Sequence, residues 1–136
     1  MKRRYSSGIT MIELMVVTVI IAILAGIGYP MYRQYAVRSN RTEAKSELLQ
    51  LTQTLEKCYT RSHDYEDCVA DDDYNTPTGN YRVQTKVNAD GQSYTLTATP
   101  LGGQLEDDRC GALSITNTGL RQERGGKSID PVNKCW

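Results

Sequence analysis

A run of 21 mostly apolar residues, Ile9 to Tyr29, carries a carboxylate, Glu13, near its start. Between Leu14 and Ile27 only Thr18 is polar. As an α-helix the run is about 31 Å long, enough to cross a hydrocarbon core of roughly 30 Å. Ahead of it, Met1 to Gly8 is short and holds Lys2, Arg3 and Arg4. A secretory signal has its cleavage site after the apolar stretch. Here no small-x-small site of the usual sort precedes Pro30, and the obvious small residue, Gly8, stands before the run. Cutting after Gly8 removes the positive charges and keeps the helix. Until then those charges hold the N-terminus on the cytoplasmic side and place the remainder outside.

Glu13 is the costly residue. A carboxylate carried to the bilayer centre costs roughly 2.5–3.5 kcal/mol, and such groups usually have a partner. Cleavage after Gly8 creates an ammonium at Ile9, one helical turn from Glu13. In a stack of parallel subunits, the Glu13 of one chain can pair with the N-terminus of the next. The plainer alternative is a tolerated charge at headgroup level. The short basic leader, the glycine and the early glutamate together favour pairing.

The length of 136 residues suits one domain. Sixteen Lys+Arg balance sixteen Asp+Glu, so no overall basicity makes nucleic acid an obligatory partner. Without Lys2, Arg3 and Arg4, 13 basic residues face 16 acidic ones, a net charge of about −3. Cys58, Cys68, Cys110 and Cys135 permit three pairings. An even count in a small domain that leaves the cytoplasm reads as two disulfides. Cys58–Cys68 with Cys110–Cys135 is the pairing in which each bridge closes one local loop. No zinc-like set exists, because His63 is the single histidine and no CxxC occurs. The acidic stretch Asp64, Glu66, Asp67, Asp71, Asp72 and Asp73 lacks the spacing and the glycine of a calcium loop, so it reads as solvated. Gly102-Gly103 and Gly125-Gly126 are loop signals rather than phosphate cradles. No cofactor, metal or catalytic set is expected.

Beyond Tyr29, Val37, Ala44, Leu51 and Cys58 recur every seven residues, with Leu48 and Leu55 on the same face. That pattern predicts an amphipathic continuation, and one helix from about Thr10 to Tyr59, near 75 Å long. Gly26, Gly28 and Pro30 lie inside it, and proline in a helix interior costs ~3 kcal/mol, so a kink is expected there. After a polar loop, Thr60 to Gly79, strand signals begin. Tyr81, Val83, Thr85 and Val87 alternate with polar residues; Asp90-Gly91 marks a turn; Tyr94 to Thr99 alternates again. Gly102 to Arg109 reads as loop, Ala112 to Thr116 as a third strand, and the remainder as an irregular tail. The expected class is α+β: a long N-terminal helix packed on an antiparallel sheet of three to four strands.

The stretch Gly8-Ile9-Thr10-Met11-Ile12-Glu13-Leu14 resembles the prepilin peptidase motif, in which glycine precedes an aromatic or apolar residue and then T-L-I-E-L. Met15-Val16-Val17, Tyr29-Pro30, Thr97-Ala98-Thr99-Pro100, Cys110-Gly111, Asn117-Thr118-Gly119 and the terminal Cys135-Trp136 are similar to type IVa pilins, particularly PilE-type minor pilins. The departure is Ile9, where Phe is usual. The resemblance implies a pilin fold, in which residues 1–8 form a removable leader. Residues 9–30 are then the membrane and filament-core half of the helix. Residues 31–136 hold the amphipathic half and a β domain with a disulfide-bonded C-terminal loop. It implies cleavage by prepilin peptidase between Gly8 and Ile9, methylation of the Ile9 amine, and assembly through Glu13. It also implies that the Gly26–Pro30 stretch loses helicity on polymerisation. The implied partners are other pilin subunits, the peptidase, the inner-membrane assembly platform and, before assembly, lipid. The precursor would sit in the bacterial inner membrane with its C-terminal domain in the periplasm. The product would be an extracellular pilus serving twitching motility or adhesion.

Two alternatives accompany that reading. A pseudopilin of a type II secretion system shares the leader and helix. A DNA-uptake pilin would use Arg121, Arg124, Lys127 and Lys134 near Trp136, since cations beside an aromatic can hold a single strand. Glu123 and Asp130 interrupt that set, and a solvated tail is the default.

Overall fold

The computed structural model describes residues 8–69, 73–107, 109–123, 127–128 and 135–136, the side chains of the 127–128 pair excepted. The chain divides into two compact units, Met1–Ala36 and Val37–Trp136. One helix, α1 (Met11–Ser62), contributes to both.

In the first unit α1 presents its apolar side chains outward; Ile12, Val16, Ile20, Leu24 and Ile27 are all exposed. Pro30 lies inside the helix, and its missing N–H leaves the Gly26 carbonyl without its i+4 donor. A Cβ at Gly26 or Gly28 would meet no atom within 4 Å. Packing within one chain therefore does not require glycine at either position.

The second unit is built on the other half of α1. Ala44, Leu48 and Leu55 are fully buried, at spacings of four and seven that keep one face inward. That face covers a six-stranded antiparallel meander: β1 (Asp73–Asn75), β2 (Tyr81–Val87), β3 (Tyr94–Pro100), β4 (Leu113–Thr116), β5 (Arg121–Glu123) and β6 (Lys127–Ser128), in sheet order β1 to β6. The inward residues alternate along the central strands: Tyr81 and Val83 on β2, Tyr94, Leu96 and Ala98 on β3, Leu113 and Ile115 on β4. The register sets Val83 opposite Ala98, and Leu96 opposite Ile115, so the apolar layer is continuous.

The α+β class and the plan of a long helix on an antiparallel sheet stand, but the sheet has more strands than the three to four expected. β1, β5 and β6 are two or three residues long and show no apolar alternation; backbone pairing with a neighbour defines them. The C-terminal tail is accordingly less irregular than its composition suggests, and the stretch after Leu101 holds a 3-10 turn, Gly102–Glu106. The helix also runs three residues past Tyr59. It stops at His63, whose φ of 59° is the left-handed conformation that ends helices, and whose N–H donates to the Tyr59 carbonyl at 2.9 Å. Glycine is the usual signal for that position, so a histidine gave no warning. Next to it docks the β2–β3 turn. Gly91 has φ 64° and accepts the Tyr65 N–H at 2.9 Å; a Cβ there would stand 2.2 Å from the Asp64 carboxylate.

Candidate functional site

Gly8 and Ile9 precede the first helical residue and are exposed, Ile9 at 78%. Thr10 caps the helix: its side-chain oxygen accepts the Glu13 N–H at 3.3 Å, and its carbonyl accepts the Leu14 N–H at 3.2 Å. Glu13 thus occupies the third helical position, where the positive end of the helix dipole favours a carboxylate. Thr10-x-x-Glu13 is also the sequence signature of a capping box, the local signal that starts the helix here. No described residue forms an ion pair with Glu13. Its charge is held at the tip by the chain's own backbone and is open to a partner.

Within the second unit, a polar network fixes the 3-10 turn to α1. The Gln104 side chain is 1% exposed and fully used. Its Nε2 donates to the Val37 carbonyl (3.2 Å) and the Tyr81 hydroxyl (3.0 Å), with Asp107 Oδ2 sharing one of these hydrogens at 3.5 Å, and its Oε1 accepts from Asn40 (3.1 Å). Asp107 Oδ2 receives Arg41 Nε and Nη2 at 3.0 and 2.6 Å, and Oδ1 receives the Cys110 N–H at 3.4 Å. Cys110 in turn bonds Cys135, and Cys58 bonds Cys68, with Cα separations of 5.5 and 5.8 Å. The loops these bridges close span 25 and 10 residues. Loop-closure entropy then favours the folded state by about 3.5 and 2.7 kcal/mol respectively.

Three glutamates of α1 reach the sheet side as acceptors. Thr78 donates to Glu43 through both backbone and hydroxyl, the Tyr74 hydroxyl to Glu47 (3.3 Å), and the hydroxyls of Tyr65 and Tyr94 to Glu56 (3.0 Å each). Burial, then the Glu56 hydrogen bond and charge, push the Tyr65 phenol up to about 12; the same two leading causes raise Tyr94 further. A raised folded-state value stabilises the fold fully below the unfolded tyrosine value near 10, and that stability is lost as pH rises through about 12. Tyr74 and Tyr81 are also raised by burial, so we expect absorbance at 295 nm to show several late-ionising tyrosyl groups, with Tyr65 and Tyr94 among the last and their titration coinciding with loss of near-ultraviolet dichroism. Glu56→Gln should move the Tyr65 step to lower pH, with burial retaining part of the shift. An unchanged profile would remove Glu56 from that account.

The basic residues near the C-terminus are only partly described. The Arg121 guanidinium lies 5.5 Å from the Trp136 ring centroid, and Trp136 Nε1 donates to the Gln122 carbonyl at 2.9 Å. Burial, then the charges of Arg41 and Arg121, hold the Lys45 ammonium below the ordinary lysine range. Arg124 and Lys134 fall outside the described residues, as does the Lys127 side chain. In the acidic loop, Asp71 and Asp72 are likewise outside, and Asp64 Oδ1 is spent on the Glu66 N–H at 2.8 Å. His63 is exposed and acts through its backbone.

Comparisons with known proteins agree with both units. Residues 3–29 match the prokaryotic N-terminal methylation motif, and residues 30–114 match the family model described as type IV minor pilin ComP, DNA uptake sequence receptor. The type IV major fimbrial protein FimA of Dichelobacter nodosus is 41% identical over 61 residues, 45% of this chain and 39% of FimA. A fimbrial protein of Pseudomonas aeruginosa is 29% identical over 111 residues, 82% of this chain and 66% of that protein. The chain therefore spans about two fifths of FimA and about two thirds of the longer match. The solved structure of a type IV pilin from Shewanella oneidensis superposes with a TM-score of 0.57 at 28% identity, covering 74% of this chain and 97% of that one. Between them the two family models take in the exposed helix half with its capped glutamate and most of the helix-on-sheet unit, and the chain belongs to the type IV pilins.

Proposed function

We propose that the chain is a minor structural subunit of a type IV pilus. On this reading it enters the inner membrane with its second unit in the periplasm. Prepilin peptidase cleaves it between Gly8 and Ile9 and methylates the Ile9 amine. The assembly platform then draws it into the filament, where Glu13 meets a neighbouring N-terminus. The carrying observation is the exposed Gly8-Ile9-Thr10…Glu13 tip on a helix whose 18-residue apolar window is entirely unburied. Such a surface is stable in lipid or against copies of itself, not in water. The family to which the chain belongs consists of filament subunits rather than enzymes.

The test is the mass of the native protein and its presence in sheared filaments. Mature chain should begin at a methylated Ile9 and appear in pili at a small fraction of the major subunit. Gly8→Leu should leave uncut precursor in the membrane fraction. Native protein that begins at Met1, or a variant of normal mature mass, would overturn the processing scheme.

A second reading, uptake of DNA, is favoured by the description of the matching family together with Arg121, whose guanidinium lies over the Trp136 ring and whose charge reaches Lys45. Cations next to an aromatic suit a nucleic-acid backbone and base. Binding that falls steeply with salt and is lost in Arg121→Glu would support it.

A further inference from the structure

Glu13 and Arg33 bracket residues 14–32, nineteen residues without Asp, Glu, Lys or Arg. At 1.5 Å per residue that stretch is about 28 Å long, against a hydrocarbon layer about 30 Å thick. At its C-terminal end stand Tyr29, Tyr32 and Tyr35, exposed to 66%, 70% and 72%. Steps of three residues turn a helix by 300°, so the three rings share a sector about 120° wide along about 9 Å of axis.

Their hydroxyls set them apart. In the second unit every tyrosine hydroxyl has a protein partner: Tyr59 with Gln92, Tyr65 and Tyr94 with Glu56, Tyr74 with Glu47, Tyr81 with Gln104. Among the described residues, none is seen for Tyr29, Tyr32 or Tyr35. The chain contains no Phe at all, so every ring at this level carries a hydroxyl that hydrocarbon alone would leave unsatisfied. Rings that want an apolar surface and hydroxyls that want water are met together at a bilayer interface. A close seam with a second helix draws small side chains that let backbones approach, whereas three adjacent rings hold a neighbour off.

The geometry points to a lipid-anchoring belt: Tyr29, Tyr32 and Tyr35 seat in the headgroup layer at the outer end of the span and set the depth at which α1 rests before assembly. This rests on the membrane residence proposed above. The belt fixes where the helix emerges, so extraction into a filament begins from one defined depth.

The full chain in vesicles of phosphatidylethanolamine and phosphatidylglycerol tests it. All four native cysteines are in disulfides, so cysteines introduced singly at Ile20 or Gln34 report alone to a membrane-impermeant maleimide. With native tyrosines, Ile20→Cys should be shielded and Gln34→Cys labelled. Replacing all three tyrosines by Leu should let the helix settle deeper and slow labelling of Gln34→Cys about tenfold. Replacing them by Trp, which also prefers the interface, should restore it. Unchanged labelling in the Leu variant, with Ile20→Cys still shielded, overturns the belt while leaving membrane residence intact. Oxidative dimers through Tyr32→Cys in place of lipid shielding would assign the face to a second copy instead and also overturn it. Labelling of Ile20→Cys with native tyrosines would remove the membrane reading itself.

Discussion

Asp107→Ala should lower the stability of the second unit by about 3–5 kcal/mol, the usual cost of breaking a buried ion pair from one side. The Arg41 and Asp107 side chains are 12% and 2% exposed, so removal of the carboxylate leaves a guanidinium in a place with little water. The loss spreads beyond the pair. Asp107 also accepts the Cys110 N–H and a hydrogen bond from the buried Gln104, so the substitution loosens the 3-10 turn and the anchorage of the Cys110–Cys135 bridge together. For a unit of this size the midpoint of thermal unfolding should fall by about 12 °C or more, read on the full chain in detergent micelles. Arg41→Leu combined with Asp107→Leu should cost less than the two single changes summed, because the pair removed together strands no charge. Additive losses would mean that each residue acts independently of the other.

That network marks where sequence reading runs out. The α1 stripe was legible because a helix repeats its face: Ala44 lies in the seven-residue series and Leu48 and Leu55 on the same face, and these three are buried while Val37, Leu51 and Cys58 are half-buried. β2 and β3 were legible for the matching reason, a two-residue alternation around Tyr81 and Leu96. Gln104 and Asp107 carry no such period. Their burial is tolerable only because Val37, Asn40, Arg41, Tyr81 and Cys110 converge on them, and convergence across some 65 residues of chain is invisible locally. β1, β5 and β6 escaped for a similar reason, as neighbours rather than composition define them. At the helix tip the reverse holds. Gly8, Ile9 and Glu13 stood out because a charge in an apolar run is conspicuous in one dimension, and the Thr10 cap adds the local reason why Glu13 begins a stable helix.

Under the proposed assembly, Glu13→Val should leave membrane insertion intact and reduce incorporation into filaments by about two to three orders of magnitude. The Thr10 cap uses the Glu13 backbone N–H, which valine retains, so the helix start survives the change. Insertion should if anything become easier, since a carboxylate is costly at depth. What disappears is the partner of the neighbouring Ile9 ammonium. An ammonium buried in the filament core without its counter-ion costs about 3–5 kcal/mol, and each 1.4 kcal/mol is tenfold in an equilibrium. Glu13→Gln, which keeps shape and hydrogen bonding but not charge, should behave like the valine variant, whereas Glu13→Asp should recover part of the incorporation. The measurement is the ratio of variant to native chain in sheared pili, normalised to the membrane pool, with both disulfides verified in that pool. Pili that take up Glu13→Val and Glu13→Gln at the native ratio would show that the carboxylate is a tolerated charge at the membrane surface and that helix packing alone recruits the subunit.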